Sequence, residues 1–108
     1  MSSVTEKNIQ EYKTIGATIL RGFWSDSEVD DIETAISDVA ANPSPMVDIF
    51  EKDSEGNAIF FNDFNNWRRI ASLKAICLNK RMGEAFSRLT GSSEAYFFHD
   101  HIICKKAG

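Results

Sequence analysis

The run from Ala95 to Lys105 constrains the fold of this chain more than any other part of its sequence. It is rich in aromatic and β-branched residues, which favour extended backbone, and we predict one long strand over these residues. Such a strand needs neighbours, because without them its backbone groups stay unpaired and its edge stays apolar. If those neighbours are missing, we expect the chain to self-associate through this final strand.

Two histidines in this run raise the question of a metal site. In an extended strand side chains alternate between faces, which places His99, His101, Ile103 and Lys105 on one face and Asp100, Ile102 and Cys104 on the other. Two histidines on one face can bind a metal ion, but a catalytic centre needs a third protein ligand and an open position. The chain has no other histidine, so a metal site at His99 and His101 is only a minor alternative.

The composition indicates one globular domain spanning residues 1–108. Apolar residues make up 43% of the chain and charged residues 26%, which suits a packed core and not a disordered protein. The net charge of -4 argues against nucleic-acid binding, which needs a basic surface. No apolar run approaches the roughly 20 residues that cross a bilayer, and no secretory signal is recognisable. We therefore expect no membrane association and a cytoplasmic location.

The two cysteines, Cys77 and Cys104, lie in apolar runs and are expected to be buried free thiols. Apolar surroundings raise the pKa of a thiol and make it unreactive, so a Cys104 nucleophile with a histidine base is not expected. The sequence also contains no Gly-x-Ser-x-Gly elbow, no phosphate-binding glycine loop and no Cys-x-x-Cys pair. None of the common catalytic motifs is therefore present.

The N-terminal third predicts two helices with a short strand between them. Ser3 and Glu6 have capping-box spacing, and the helix that follows should end at Gly16 with Ile9, Tyr12 and Ile15 turned inward. The β-branched stretch 17–21 is predicted to be a strand ended by Gly22.

Ser25 and Glu28 form a second capping box and predict the clearest helix of the chain. Its apolar stripe consists of Val29, Ile32, Ile36 and Val39, and the prolines Pro43 and Pro45 should stop it. The acidic residues of its first turns are expected to form a solvated face favoured by the helix dipole and not a cation site.

A β-hairpin is predicted next, because turn-forming residues at 53–57 separate two strand-like segments, 47–51 and 58–61. The turn faintly resembles a calcium loop, but the position of its bidentate glutamate is occupied by Asn62 and no helix precedes it. A calcium site is therefore not expected. Residues 62–67 are predicted to form a loop held by Phe64 and Trp67.

Two further helices are predicted before the final strand. The first is capped by Ser72 and runs through Leu78, with Leu73, Ile76 and Cys77 on its inner face, and Asn79 should take a left-handed conformation at its end. The second spans residues 80–90 and should bury Met82, Ala85, Phe86 and Leu89 before Gly91 closes it.

Four segments occur in an order found in a known enzyme family. They are Glu11-Tyr12 before the stretch Gly16–Phe23, the capped helix that starts at Ser25, the paired helices ending at Leu89-Thr90-Gly91, and the run Phe98–Gly108, which ends in Lys, two residues and Gly. This arrangement resembles the N-terminal part of the phytanoyl-CoA dioxygenase family, whose members are iron(II)- and 2-oxoglutarate-dependent oxygenases. The resemblance covers most of the chain, although Ala107 stands where the family often has proline.

The resemblance implies an α+β fold: an N-terminal helical layer and the first strands of a double-stranded β-helix of the jelly-roll or cupin-like type, incomplete within residues 1–108. It also implies that Lys105 contributes to the 2-oxoglutarate pocket, since an ammonium group can pair with a dicarboxylate. A surface lysine at a strand end is the alternative for Lys105. The expected substrate is a small molecule or an acyl thioester.

In this family a His-x-Asp pair and a distant histidine hold iron(II) as a facial triad. The pair follows the glycine that ends this strand, so His99-Asp100-His101 lies one strand too early and is not assigned a ligand role. The family's 2-oxoglutarate arginine comes later still. We therefore expect residues 1–108 to be the leading third of such an enzyme, to be inactive alone, and to bind neither iron(II) nor 2-oxoglutarate tightly. The alternative is a non-catalytic α+β module that binds a partner or dimerises.

Overall fold

The computed structural model describes residues 4–107, which form an α+β arrangement of four helices and one three-stranded antiparallel sheet. In chain order the elements are α1 (Glu6–Ile15), α2 (Asp26–Ala41), β1 (Asp48–Lys52), β2 (Ala58–Phe64), α3 (Ala71–Cys77), α4 (Lys80–Thr90) and β3 (His101–Lys105). The α+β class predicted from the sequence is confirmed. None of the helices in this part of the chain is long and apolar enough to cross a membrane.

Helix α1 is capped by Thr5 and Asn8, two residues after the predicted capping box of Ser3 and Glu6. Its N-cap is Thr5, whose hydroxyl accepts a hydrogen bond from the Asn8 backbone while the Asn8 side chain accepts one from the Thr5 backbone. Ser3, the predicted cap, lies outside the described residues. Gly16 ends the helix in the left-handed conformation at φ 89°, as predicted.

Helix α2 follows its prediction closely. Ser25 and Glu28 form the expected reciprocal capping box, and the helix ends at Ala41, just before the proline-containing segment. Its buried residues are Ala35 and Val39, while Val29 at the first turns is 45% exposed. The predicted stripe therefore faces the core only in the second half of the helix.

The junction of α3 and α4 differs from the prediction at two capping residues. Ser72 does not cap α3; the N-cap is Ile70 without a side-chain bond, and the Ser72 hydroxyl donates to Asp38 of α2 at 2.8 Å. Asn79 is not left-handed; it is the N-cap of α4 with φ -63°, and its side chain accepts from the backbone of Arg81 and Met82. Gly91 closes α4 as predicted, with φ 74°.

The sheet has the order β1-β2-β3, with every neighbouring pair antiparallel. The predicted hairpin is confirmed, and its turn is held by the Asp53 carboxylate, which accepts backbone bonds from Glu55 and Asn57 at 2.9 Å each. The register of β1 on β2 is interrupted twice, at Ile49/Glu51 and at Glu51/Lys52, whereas the register of β2 on β3 is regular.

Strand β3 is shorter than predicted: of the predicted run 95–105, only His101–Lys105 is a strand. Strand β2 leaves the ladder at Asn65, which has φ 61° and turns the chain away. Residues 95–99 then have no strand opposite them within residues 4–107. Composition alone favours extended backbone there, but a strand also needs a partner.

The predicted strand 17–21 is likewise wrong, since this segment joins no sheet. It is tied to α1 instead: the Asn8 side chain donates to the carbonyl of Ile19 at 3.2 Å and to the hydroxyl of Thr18 at 2.9 Å. Helix α1 therefore satisfies the backbone group that a neighbouring strand would otherwise pair.

The main core lies between α2, α3 and one face of the sheet. Its buried members are Ala35, Val39, Phe61, Ile70, Leu73, Cys77 and Ile102. A second cluster joins the N-terminal segment to α4 through Val4, Phe23 and Ala85. Two predicted core residues are not buried: Ile15 is 75% exposed at the end of α1, and Phe86 is 54% exposed beside the inward stripe of α4.

Candidate functional site on the open face of the sheet

Among residues 4–107, helices α2 and α3 cover one face of the sheet and no helix covers the other. On the other face three cross-strand pairs of β2 and β3 lie side by side: Phe60 with Lys105, Asn62 with Ile103, and Phe64 with His101. We call these six residues the open face. The three residues from β2 are half-buried and the three from β3 are exposed, whereas Phe61 and Ile102 on the opposite face belong to the core. The predicted alternation of faces along β3 is therefore confirmed for 101–105.

Lys105 is the cationic group of the open face. Its ammonium nitrogen lies 5.2 Å from the centroid of the Phe60 ring, within the range of a cation–π contact. Among residues 4–107 no carboxylate lies within ion-pair distance of Lys105; the ion pairs there join Arg69 to Asp63 and Arg81 to Glu28. The structure thus leaves this ammonium available to an external anion.

The two histidines do not lie together on one ladder. His101 belongs to β3, where its Nε2 is 3.4 Å from Oδ1 of Asn62 and its ring packs edge-on against Phe64 at 5.7 Å. His99 lies before the strand and packs against Phe98 with ring centroids 4.5 Å apart. The described part of the chain contains no group of three or more His, Cys, Asp or Glu side chains able to hold a metal ion. These residues therefore do not fit an iron centre.

A buried carboxylate that the sequence analysis missed stands behind the open face. Asp63 of β2 is 0% exposed, and it accepts hydrogen bonds from the Ser44 backbone at 2.8 Å, from the Ser44 hydroxyl and from the Phe64 backbone at 2.9 Å. Burial alone would raise the pKa of Asp63, but hydrogen bonds to its carboxylate, chiefly the two from Ser44, outweigh burial and hold that pKa below its ordinary value of 3.8. Asp63 thus fixes the α2–β1 connection to the central strand.

Two further buried polar groups are only partly satisfied within residues 4–107. Asp100 is 7% exposed, and its Oδ2 accepts the Trp67 backbone N–H at 2.9 Å while its Oδ1 has no partner. Asn66 is fully buried; its Oδ1 accepts from Arg69 at 2.7 Å, and its Nδ2 has no partner. Buried polar atoms are rarely left unpaired, and Asn66 Nδ2 and Asp100 Oδ1 are the exceptions among the described residues.

The cysteines are both free, as predicted. Cys77 is buried, and burial together with the nearby Asp100 carboxylate raises the pKa of its thiol to about 11. Cys104 is half-buried and its side chain lies on the helix-covered face, opposite to His101. No histidine–thiol pair is therefore formed on β3.

A groove of about 630 Å³ lies away from the sheet, between α1 and the segment 17–21. Its central polar groups already bind one another: the Asn8 amide donates to the Thr18 hydroxyl, and that hydroxyl donates to Glu11 at 3.1 Å. Because these groups satisfy each other, the groove is a weaker candidate than the open face.

Comparison with protein-family models, with curated proteins and with solved structures finds no match to this chain. The candidate site therefore rests on the geometry of the sheet and on the motifs of the sequence.

Proposed function

We propose that this chain supplies the helical layer and first strands of an iron(II)- and 2-oxoglutarate-dependent oxygenase of the phytanoyl-CoA dioxygenase type, and that Lys105 binds a carboxylate of 2-oxoglutarate. The observation that carries the proposal is the one-sided packing of the sheet. Helices cover the face that contains Phe61 and Ile102, and Lys105 lies on the face that they leave open.

One-sided packing suits the first sheet of a double-stranded β-helix. In jelly-roll architectures two sheets face each other, and ligands lie between them or at the mouth of the barrel. A helical layer on the outer face of this sheet would leave the open face directed towards the second sheet. Lys105 would then point into the barrel interior, as the family resemblance implies.

The chemistry of the open face suits one end of a dicarboxylate. The ammonium of Lys105 can donate charge-assisted hydrogen bonds to a carboxylate, and the ring of Phe60 lies beside it, with its centroid 5.2 Å away. Asn62 and His101 add a side-chain amide and an imidazole on the same face. An anion bound here would be held by one full charge and by neighbouring polar groups.

The iron(II) of such an enzyme is assigned to no described residue. His99 and His101 do not converge with a third ligand in this part of the chain, and the resemblance places the family's ligands after this strand. The proposed role of residues 4–107 is therefore to bind and orient 2-oxoglutarate. The hydroxylated substrate, a small molecule or an acyl thioester, is part of the same proposal.

The proposal is tested by titrating the chain with 2-oxoglutarate and following backbone amide shifts by NMR. We expect the largest shifts at Phe60, Ile103 and Lys105, and at least about tenfold weaker binding for Lys105→Gln, because one charge-assisted bond is lost. The matched control is Lys106→Gln, which removes the same charge from the neighbouring residue. Equal affinity of wild type and Lys105→Gln, or no saturable binding to wild type, would refute the proposal.

A further inference from the structure

The free edge of β3 presents an uninterrupted row of backbone groups. The Asn65 N–H donates to the Asp100 carbonyl, and the Lys106 N–H donates to the Ile59 carbonyl, at 2.9 Å each. In an antiparallel ladder, backbone groups of successive residues point to opposite sides. Between residues 100 and 106, the backbone N–H and C=O groups of the even-numbered residues therefore point towards β2. Those of His101, Ile103 and Lys105 point outwards, away from the sheet. No strand pairs with them within residues 4–107.

The opposite edge of the sheet is protected in a way that β3 is not. Strand β1 carries two register interruptions and the charged residues Asp48, Glu51 and Lys52. Bulges and charges are the usual devices that prevent a sheet edge from pairing with another chain. Strand β3 has a regular register and, at its centre, Ile103 with 69% of its surface exposed. Only the β3 edge is therefore suited to accept another strand.

We propose that two copies of this chain associate through their β3 strands, antiparallel about a two-fold axis at Ile103, to form one continuous six-stranded sheet. In this register His101 of each copy pairs with Lys105 of the other, and the two Ile103 residues pair with each other. Every outward backbone group of the strand then gains a partner, and the interface is self-complementary, as a two-fold contact requires.

Charge complementarity selects this register over its neighbours. The two-fold axis at Ile103 places Asp100 opposite Lys106 of the second copy, and the symmetry repeats this pair of opposite charges at the other end. Opposite charges directly across a ladder stabilise pairing. Asp100 also carries the buried carboxylate oxygen that has no partner within residues 4–107. Antiparallel registers displaced to either side do not bring Asp100 and Lys106 together.

Pairing through the edge leaves the open face of each copy uncovered, so this inference does not depend on 2-oxoglutarate binding. The Lys105→Gln variant separates the two proposals, because it removes the ammonium and keeps every outward backbone group of β3. We expect Lys105→Gln to dimerise like wild type whether or not it binds 2-oxoglutarate.

The first test is sedimentation equilibrium of the wild-type chain over a range of protein concentrations. We expect a reversible monomer–dimer equilibrium that Ile103→Pro abolishes, since proline removes an outward N–H and leaves the ladder with β2 intact. The matched control is Ile49→Pro, which removes an outward N–H from the edge of β1. A wild-type chain that stays monomeric up to its solubility limit, or equal weakening by both prolines, would overturn the proposal.

The second test uses charge at the two-fold axis and does not require proline in a strand. Ile103→Glu places two carboxylates opposite each other and Ile103→Lys places two ammonium groups there, so each variant alone should associate several-fold more weakly than wild type. An equimolar mixture should recover a dimer containing one chain of each kind. In the displaced register that pairs residue 103 with Lys105 of the second copy, the introduced carboxylate would strengthen association, so tighter self-association of Ile103→Glu refutes the two-fold register at Ile103. Failure of the mixture to recover a dimer refutes the interface.

Discussion

At the scale of single residues, the buried carboxylate of Asp63 has the most consequence for the fold. It accepts bonds from the Ser44 backbone and hydroxyl and so joins the α2–β1 connection to the central strand. Sequence reasoning missed it because aspartate is uncommon in strands, and because its partner lies 19 residues away in the chain. Lys105 could be assigned to the same face of β3 as His101 and Ile103, because side chains alternate between the two faces of any strand.

We expect Asp63→Asn to lower the free energy of unfolding by about 2 kcal/mol. The carboxylate accepts hydrogen bonds from Ser44 and Phe64, whereas the NH2 group of asparagine is a donor and cannot accept them. Urea denaturation measures this change, with Asp48→Asn on the exposed face of β1 as the control. A loss no larger than that of the control would contradict the role given to Asp63.

The same residue predicts how stability depends on pH. Because the pKa of Asp63 in the folded chain lies below 3.8, its contribution is present at pH values above 3.8 and is lost as the pH falls through the folded value. Urea midpoints measured at decreasing pH should therefore drop more steeply for wild type than for Asp63→Asn. Parallel pH profiles would show that Asp63 is not the group responsible.

At the scale of elements, the helices were more predictable than the strands. Caps, apolar stripes and helix-stopping residues are local signals, and they placed the end of α2 before Pro43 and the end of α4 at Gly91. Strands depend on partners that sequence does not display. The segment 17–21 has strand composition but binds α1, and the final run becomes a strand only where β2 lies beside it, up to the turn at Asn65. Asn79 was misplaced because asparagine suits both ends of a helix.

We expect Asn79→Ala to destabilise the fold by about 1 kcal/mol, because α4 loses the side-chain acceptor for the Arg81 and Met82 backbone groups. Thermal unfolding followed by circular dichroism measures the effect. Asn79→Asp keeps an acceptor at the cap and should remain close to wild type. Equal losses for Ala and Asp would show that the cap bond is not the cause.

At the scale of the whole molecule, α2 and α3 form a layer on one face of the sheet, and within residues 4–107 the other face is uncovered and the outer edges of β1 and β3 are unpaired. The order β1-β2-β3 places β2 in the middle, bonded on both sides, and leaves β3 bonded on one side only. Local residue patterns predicted the four helices and the β-hairpin. They could not predict that β3 would lie at an edge, because strand order depends on contacts between residues distant in sequence.

Hydrogen exchange followed by NMR should reveal this one-sided bonding. In dilute solution we expect the amides of Phe61, Ile102 and Cys104 to exchange slowly and those of Ile103 and Lys105 to exchange fast, because only the first set bonds within the ladder. At high concentration Ile103 and Lys105 should become slow if two copies pair. Equal protection of both sets in dilute solution would contradict the strand order described for β3.

The two interruptions in β1 also limit how far copies of this chain can aggregate. A cross-β fibre grows only when each added molecule offers a fresh pairing surface on its far side. The opposite edge of this sheet is β1, which has two register interruptions and three charged residues, so a dimer paired through β3 would present only these β1 edges to a third copy. If two copies pair through β3 as proposed, we therefore expect association to stop at the dimer, although Ile103 is exposed at that edge.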